Sequence, residues 1–322
     1  MILAELPHAF VVATCVALGL VFGSFTNVVI HRWPRGESVV SPRSRCGACG
    51  EPIAAYDNLP VLGWLLLRGR ARCCGARISP RYPAVEAVGG LLAWALAERA
   101  LALLPGLGDW RAVAGFATQL ALGLGLVAAA FIDLEHMLVP DEVSVGGAAL
   151  GGASAALALR PGTEVPDSIL GAAVGFAVVW LPFDLLHRAV RGKPGMGLGD
   201  AKLCLLAGAW FGWRGAVFTL VAGAVQGTLA VIALYAGRGR IDEPEAVRAE
   251  RAAMRVALEQ ASPEERAALE RELASDPIAE EPEPGWRGAR MALGPFLALA
   301  ILELLLFEEA IFEAWERWVL GG

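Results

Sequence analysis

Apolar residues in this chain gather into long windows instead of alternating with polar ones. Stretches able to cross roughly 30 Å of hydrocarbon, about 20 residues each, run near 9–30, 83–104, 113–132, 142–159, 168–187, 201–213, 215–237 and 291–315. The pattern predicts an all-α polytopic membrane protein with about eight transmembrane helices. The sixth window is short, and the second carries Glu86, Glu98 and Arg99. A polar loop separates the first two windows, and a charged insert over 238–290 precedes the last.

Basic residues orient the spans. Arg32 is the earliest Lys or Arg, so the first window lacks the basic start of a secretory signal and reads as a retained span. The loop after it holds Arg32, Arg35, Arg43, Arg45, Arg68, Arg70, Arg72, Arg77 and Arg81, an excess that the positive-inside rule places in the cytoplasm. Alternation then puts 133–141, 188–200 and 238–290 inside. Arg188, Arg191 and Lys193 crowd one of these loops, whereas the outer loops offer only Arg111, Arg160 and Arg214. Within the insert, EAVRAERAAMRVALEQ and SPEERAALEREL read as two short helices. Ser262 serves as N-cap of the second, with Pro263 in its first turn and Glu265 completing a capping box. The tail SDPIAEEPEPGW reads as a flexible linker.

Composition narrows the class. The chain is 56% hydrophobic and 19% charged, with mean hydropathy +0.53, well above a soluble domain. A net charge of -6 gives no basic footprint for nucleic acid. Of six cysteines, four are bunched between positions 46 and 74 in the Arg-rich loop, a pattern that points to metal in a reducing compartment. Cys15 and Cys204 lie alone in apolar stretches and read as small buried hydrophobes.

Acidic residues at membrane depth default to a functional reading. Asp133 closes the third window and Asp200 opens the sixth. Two spans lie between them, so the chain crosses out and back and both carboxylates return to one membrane face. Gly195, Gly197 and Gly199 strip side chains from the approach to Asp200. Taken singly, each aspartate reads as an ordinary helix-end residue, Asp200 as an N-cap. Taken together they predict two carboxyl groups sharing a proton, one acting as base on water and the other as acid toward an amide. Asp141, after Pro140, reads as the N-terminal cap of the fourth span, and Asp184 as a partner of His187 or Arg188.

The motifs resemble those of the bifunctional type IV prepilin peptidases, a GxGD family of membrane aspartic peptidases with N-methyltransferase activity. GSFTNVVIHRWPRG at 23–36, SRCGAC at 44–49 and DNLPVLGWLLLRGRARCCGARISPRYPAVE at 57–86 are similar to the family's opening segments. FIDLEHMLVPD at 131–141 resembles the segment of its first catalytic aspartate, GLGD at 197–200 its GxGD element, and ALGPFLALA at 292–300 its last-span motif. The resemblance implies that Asp133 and Asp200 cleave the basic leader of prepilins or pseudopilins, after Gly, at the cytoplasmic face of the bacterial inner membrane. It also implies methylation of the new N-terminus from S-adenosylmethionine, serving type IV pili or type II secretion. Oligomeric state is left open.

Cys46 and Cys49 form a CxxC able to bind tetrahedral zinc. The family's second CxxC is broken here, since Ala71 holds its first position and Cys73 and Cys74 are adjacent. Cys46, Cys49 and Cys74 are therefore the expected ligands of a structural zinc, with Cys73 as the expected fourth and a His or water as the other candidates; free thiols in a metal-free loop are the competing reading. No local signature marks the methyl donor, so its residues are unassigned. Structural roles suffice for Gly23 and Ser24 in close packing, for Asn27 in an interhelical hydrogen bond, and for Glu86 paired with a loop arginine. The expected organisation is a first transmembrane helix (1–30), a zinc-binding cytoplasmic loop domain (31–82), a transmembrane catalytic core (83–237), a soluble helical insert (238–290), and a last transmembrane helix with the C-terminus (291–322). A peptidase without methylation, and a non-enzymatic transporter or scaffold, are the competing readings; a transporter favours ionisable groups near the bilayer midplane.

Overall fold

The computed structural model describes residues 3–160, 162–191, 197–239, 243–273 and 291–320. Lys193, Gly195 and the 275–286 linker lie outside them. Among the described residues every regular element is a helix, and the two β-bridges, Arg45 with Pro52 and Arg70 with Arg77, are isolated. That is the expected outcome for apolar windows in lipid, where a helix satisfies every backbone group internally.

The helices are α1 (His8–Arg32), α2 (Leu62–Leu66), α3 (Arg81–Leu107), α4 (Asp109–His136), α5 (Asp141–Ala156), α6 (Val165–Val179), α7 (His187–Arg191), α8 (Leu198–Arg238), α9 (Glu245–Gln260), α10 (Pro263–Leu273) and α11 (Gly294–Leu320). Between α6 and α7 the helix widens to a π-helical stretch, Trp180–Leu186, around Pro182, which has no N–H to give to the ladder. Among the described residues, five segments are long and apolar enough to cross a membrane: His8–Arg35, Arg81–Leu107, Asp109–His136, Val165–Val190 and Leu198–Arg238. The eight expected windows are all helical, and three fall outside this count for separate reasons. Windows 201–213 and 215–237 lie in the single element α8, broken at Gly212, whose φ 68 and ψ -176 suit only glycine. At 16 residues, α5 is about 24 Å long. α11 carries Glu303, Glu308, Glu309, Glu313 and Glu316.

By its internal contacts the chain forms two units, Met1–Ala128 with Ser154–Gly162 and Leu305–Gly322, and Ala129–Ala153 with Thr163–Leu304. In the first, α1 packs along α3, and a side chain on Gly19 or Gly89 would run into the other glycine's carbonyl. Such close approach of small residues is how helices associate in lipid. The Asn27 amide donates to the Tyr82 carbonyl at 3.0 Å, as expected of an interhelical bond. Glu86 departs from expectation: its carboxylate accepts the Val61 backbone N–H at 2.7 Å instead of meeting an arginine. Arg160, expected in an outer loop, is buried and donates to Glu308 at 2.5 Å, and Arg99 donates to the Leu305 carbonyl at 3.1 Å.

In the second unit α6 packs along α8. The Trp210 indole donates to the Gly147 carbonyl at 2.8 Å and the Ser168 hydroxyl to the Ala209 carbonyl at 2.7 Å. Gln226 of α8 donates to both oxygens of Glu303 in α11. Cys204 is fully buried as expected, but Cys15, in the first unit, is only half-buried. The insert's second helix, α10, starts where its capping box predicts. Glu265 accepts the Ser262 backbone N–H at 3.0 Å, while α9 is tied by Arg251 donating to Glu243 at 2.8 Å.

Candidate active site

Asp133 lies in the last turn of α4. That helix stops at Met137, which adopts φ 53 and donates its N–H to the Asp133 carbonyl at 2.8 Å. Leu138, Val139 and Pro140 then carry the chain to α5. Asp200 lies in the first turn of α8, whose N-cap is Gly197 in an extended conformation. The two carboxyl groups, at the end of α4 and the start of α8, interact electrostatically. Asp133 is buried at 6% exposure and Asp200 is half-buried.

Glycines make this approach possible. A Cβ on Gly199 would stand 3.1 Å from Val139, and one on Gly294 would stand 3.3 Å from the same side chain and collide with the Asp133 carboxylate. Gly294 also donates its backbone N–H to that carboxylate, so the start of α11 orients Asp133. Sequence reasoning missed Gly294 and Val139 as parts of the site; the signal for Gly294 was its place in ALGPFLALA, between a polar linker and an apolar window. Asp141 opens α5, but its carboxylate accepts a hydrogen bond from Lys202 at 2.6 Å. Asp184 accepts from Arg188 at 2.8 Å, one of its two expected partners.

A sequence profile of the type IV leader peptidase family matches residues 120–232, and one of the bacterial peptidase A24 N-terminal domain matches residues 17–100. A prepilin leader peptidase/N-methyltransferase of Stutzerimonas stutzeri is 37% identical over 258 residues, covering 70% of this chain and 83% of that protein. The chain belongs to the type IV leader peptidase family. A protein of the same name from Myxococcus xanthus is 39% identical over 230 residues, and the match spans 69% of this chain but just under two thirds, 63%, of that relative. One from Klebsiella pneumoniae is 40% identical over 214 residues, 63% of this chain and 86% of that protein. No solved structure matches.

The second cluster of this family member is made of sulfur. Two tight turns present it, and their hydrogen bonds correspond one to one. In the first, Cys46 N–H donates to the Glu51 carbonyl and Gly50 N–H to the Cys46 carbonyl; in the second, Ala71 N–H donates to Ala76 and Gly75 N–H to Ala71, all at 2.8 Å. Gly50 and Gly75 close the turns at φ 76 and φ 71. Ala71 thus stands where Cys46 stands, and Cys74 where Cys49 stands. Cys73 supplies the missing sulfur from inside the turn: its Sγ is 3.3 Å from that of Cys49, Cys46 Sγ is 3.7 Å from Cys74 Sγ, and all four lie within 4.8 Å of one another. A tetrahedral ion with bonds of about 2.3 Å needs sulfurs about 3.8 Å apart, so the four residues fit one.

Backbone amides of Cys49 and Ala48 aimed at Cys46 bring its thiol down to about 6. Cys73 is pushed up to about 12 first by Cys49, then by desolvation and by the other sulfurs around it. Beside the cluster, Arg72 donates to both oxygens of Asp57 and holds that carboxyl below its usual range.

Proposed function

We propose that this chain is a membrane aspartic endopeptidase that removes the leader of type IV prepilins or pseudopilins, with Asp133 and Asp200 as its catalytic pair. The observation that carries the reading is that the end of α4 and the start of α8 bring these two carboxyl groups within electrostatic reach of one another, with the Gly294 amide on Asp133. One carboxylate takes a proton from water as the water oxygen adds to the scissile carbonyl carbon. The other carboxyl gives its proton to the amide nitrogen as the C–N bond breaks, and proton return between the two restores the pair. A substrate whose apolar helix begins at the scissile bond delivers that bond to the membrane boundary, where the end of α4 and the start of α8 stand. The site acts at the cytoplasmic face of the inner membrane, following the arginine excess in 31–82.

Methylation of the new N-terminus from S-adenosylmethionine is the second activity, supported by the relatives' names; no residue is assigned to it. Cys46, Cys49, Cys73 and Cys74 would hold one zinc, which supplies a rigid crosslink for a loop with little core of its own. Four thiolates leave no open coordination position, so the metal takes no part in hydrolysis. The deciding experiment incubates the purified chain with a prepilin and labelled S-adenosylmethionine. Cleavage with methyl incorporation is the expected result; methyl-free cleaved product identifies a peptidase alone, and intact prepilin removes the reading in favour of a scaffold.

A further inference from the structure

The 31–82 loop turns a row of leucines outward. Leu59, Leu62, Leu65 and Leu66 are 48%, 58%, 55% and 77% exposed, although a short helix in a polar loop ordinarily hides such residues. The reason lies in what α2 turns inward instead. Gly63 sits against the Asp57 carbonyl, where any side chain would collide, and the Trp64 indole donates to the Ile78 carbonyl at 3.1 Å. These contacts fix the rotation of α2, so its leucines stay exposed among the described residues. The chain's own tethers set its depth. Val61, immediately before α2, gives its N–H to Glu86 at 2.7 Å, and Glu86 lies five residues inside α3, about 7 Å along that helix. Since α3 is itself long and apolar enough to cross a membrane, α2 is pinned level with the second turn of a membrane-spanning helix. Exposed Arg68, Arg70 and Arg77 follow directly, as cations do on elements that lie in the interface of an anionic bilayer.

We infer that α2 is an interfacial element: Leu59, Leu62, Leu65 and Leu66 insert at the boundary of headgroups and acyl chains, in the leaflet on the side of the sulfur cluster, with the arginines over anionic headgroups. The loop is then held by the bilayer as well as by its two flanking helices. The occupant of the leucine face is lipid rather than a substrate segment, because the bond to Glu86 holds α2 at a depth that lipid already fills.

The test places a benzophenone amino acid at position 65 or 66 of the full chain, and at exposed position 51 as comparison, in nanodiscs of phosphatidylethanolamine and phosphatidylglycerol. After irradiation, the intact mass should show lipid adducts at 65 and 66 in at least fivefold excess over 51. The wild-type chain, probed with a lipid bearing a diazirine in its acyl chain, should be labelled in the peptide spanning 59–67, which guards against a misfolded variant. Absence of lipid adducts at both positions, equal labelling at 51, or capture of a second copy or of added prepilin in place of lipid each overturns the inference. No readout requires cleavage, so this result and the fate of the peptidase reading are independent.

Discussion

At the scale of single residues, chemistry and space can be separated. Asp133→Asn and Asp200→Asn keep shape but lose the ability to act as base or to share a proton, and each should lower prepilin cleavage by at least about 100-fold while membrane insertion stays normal. Gly294→Ala leaves both acids in place but drives a methyl group into the Asp133 carboxylate; cleavage should fall about tenfold or more with the chain still folded. Near-normal turnover in either Asn variant, measured on detergent-purified protein, would remove that residue from the pair. Both aspartates were legible in the sequence because an acid at a span end stands out against apolar neighbours. Gly294 was not, since the need for a bare backbone there arises only once α11 meets α4. A pH effect belongs to this scale as well. Arg72 holds the Asp57 carboxyl low, so their bond contributes fully above the unfolded carboxylate value of about 3.9 and is lost as pH falls through the lower folded value. The protease resistance of the loop in wild type should exceed that of Asp57→Asn at neutral pH, and the gap should close below about pH 4. A gap that widens in acid contradicts the assignment.

Among elements, the paired turns of the sulfur loop give the sharpest expectation. Cys73→Ser should cost the chain its bound zinc, or most of it, and Ala71→Cys in the same chain should restore it, because residue 71 occupies the place that Cys46 holds in the matching turn. Metal analysis of the two variants beside wild type checks this; full zinc in Cys73→Ser alone means another group completes the site. The broken CxxC was visible in the sequence, but the remedy was not, since adjacency says nothing about whether two neighbouring sulfurs face one point. The same limit explains the spans. Hydropathy found the helical windows, yet the Gly212 break inside α8 is a matter of one residue's φ, which apolarity does not report. The insert behaves in the opposite way. Its α9 follows from the charge pattern and its α10 from a local capping box, and their independence of the matched motifs leads to a further expectation: removing residues 243–284 should leave cleavage within about twofold, a change below that of any acid–base loss. A folded deletion variant without activity would make the insert part of the enzyme.

For the molecule as a whole, the sulfur cluster and the acid pair fall in different units of the chain, and loss of zinc should therefore loosen the 31–82 loop before it touches Asp133 and Asp200. The proposed orientation makes 31–82 and 238–290 cytoplasmic; a cysteine placed at position 262 should resist an impermeant maleimide in intact cells and react once they are opened. Labelling in intact cells would reverse the topology. Order of synthesis adds a consequence of the Gly294 contact. Asp133 and Asp200 are both made before α11, and more than ninety residues separate Asp200 from Gly294. The amide that orients Asp133 thus leaves the ribosome last among the parts of the site. A nascent chain thus carries both acids before the amide that meets one of them exists, and with these acids as the proposed catalytic pair, full activity should wait for the final helix.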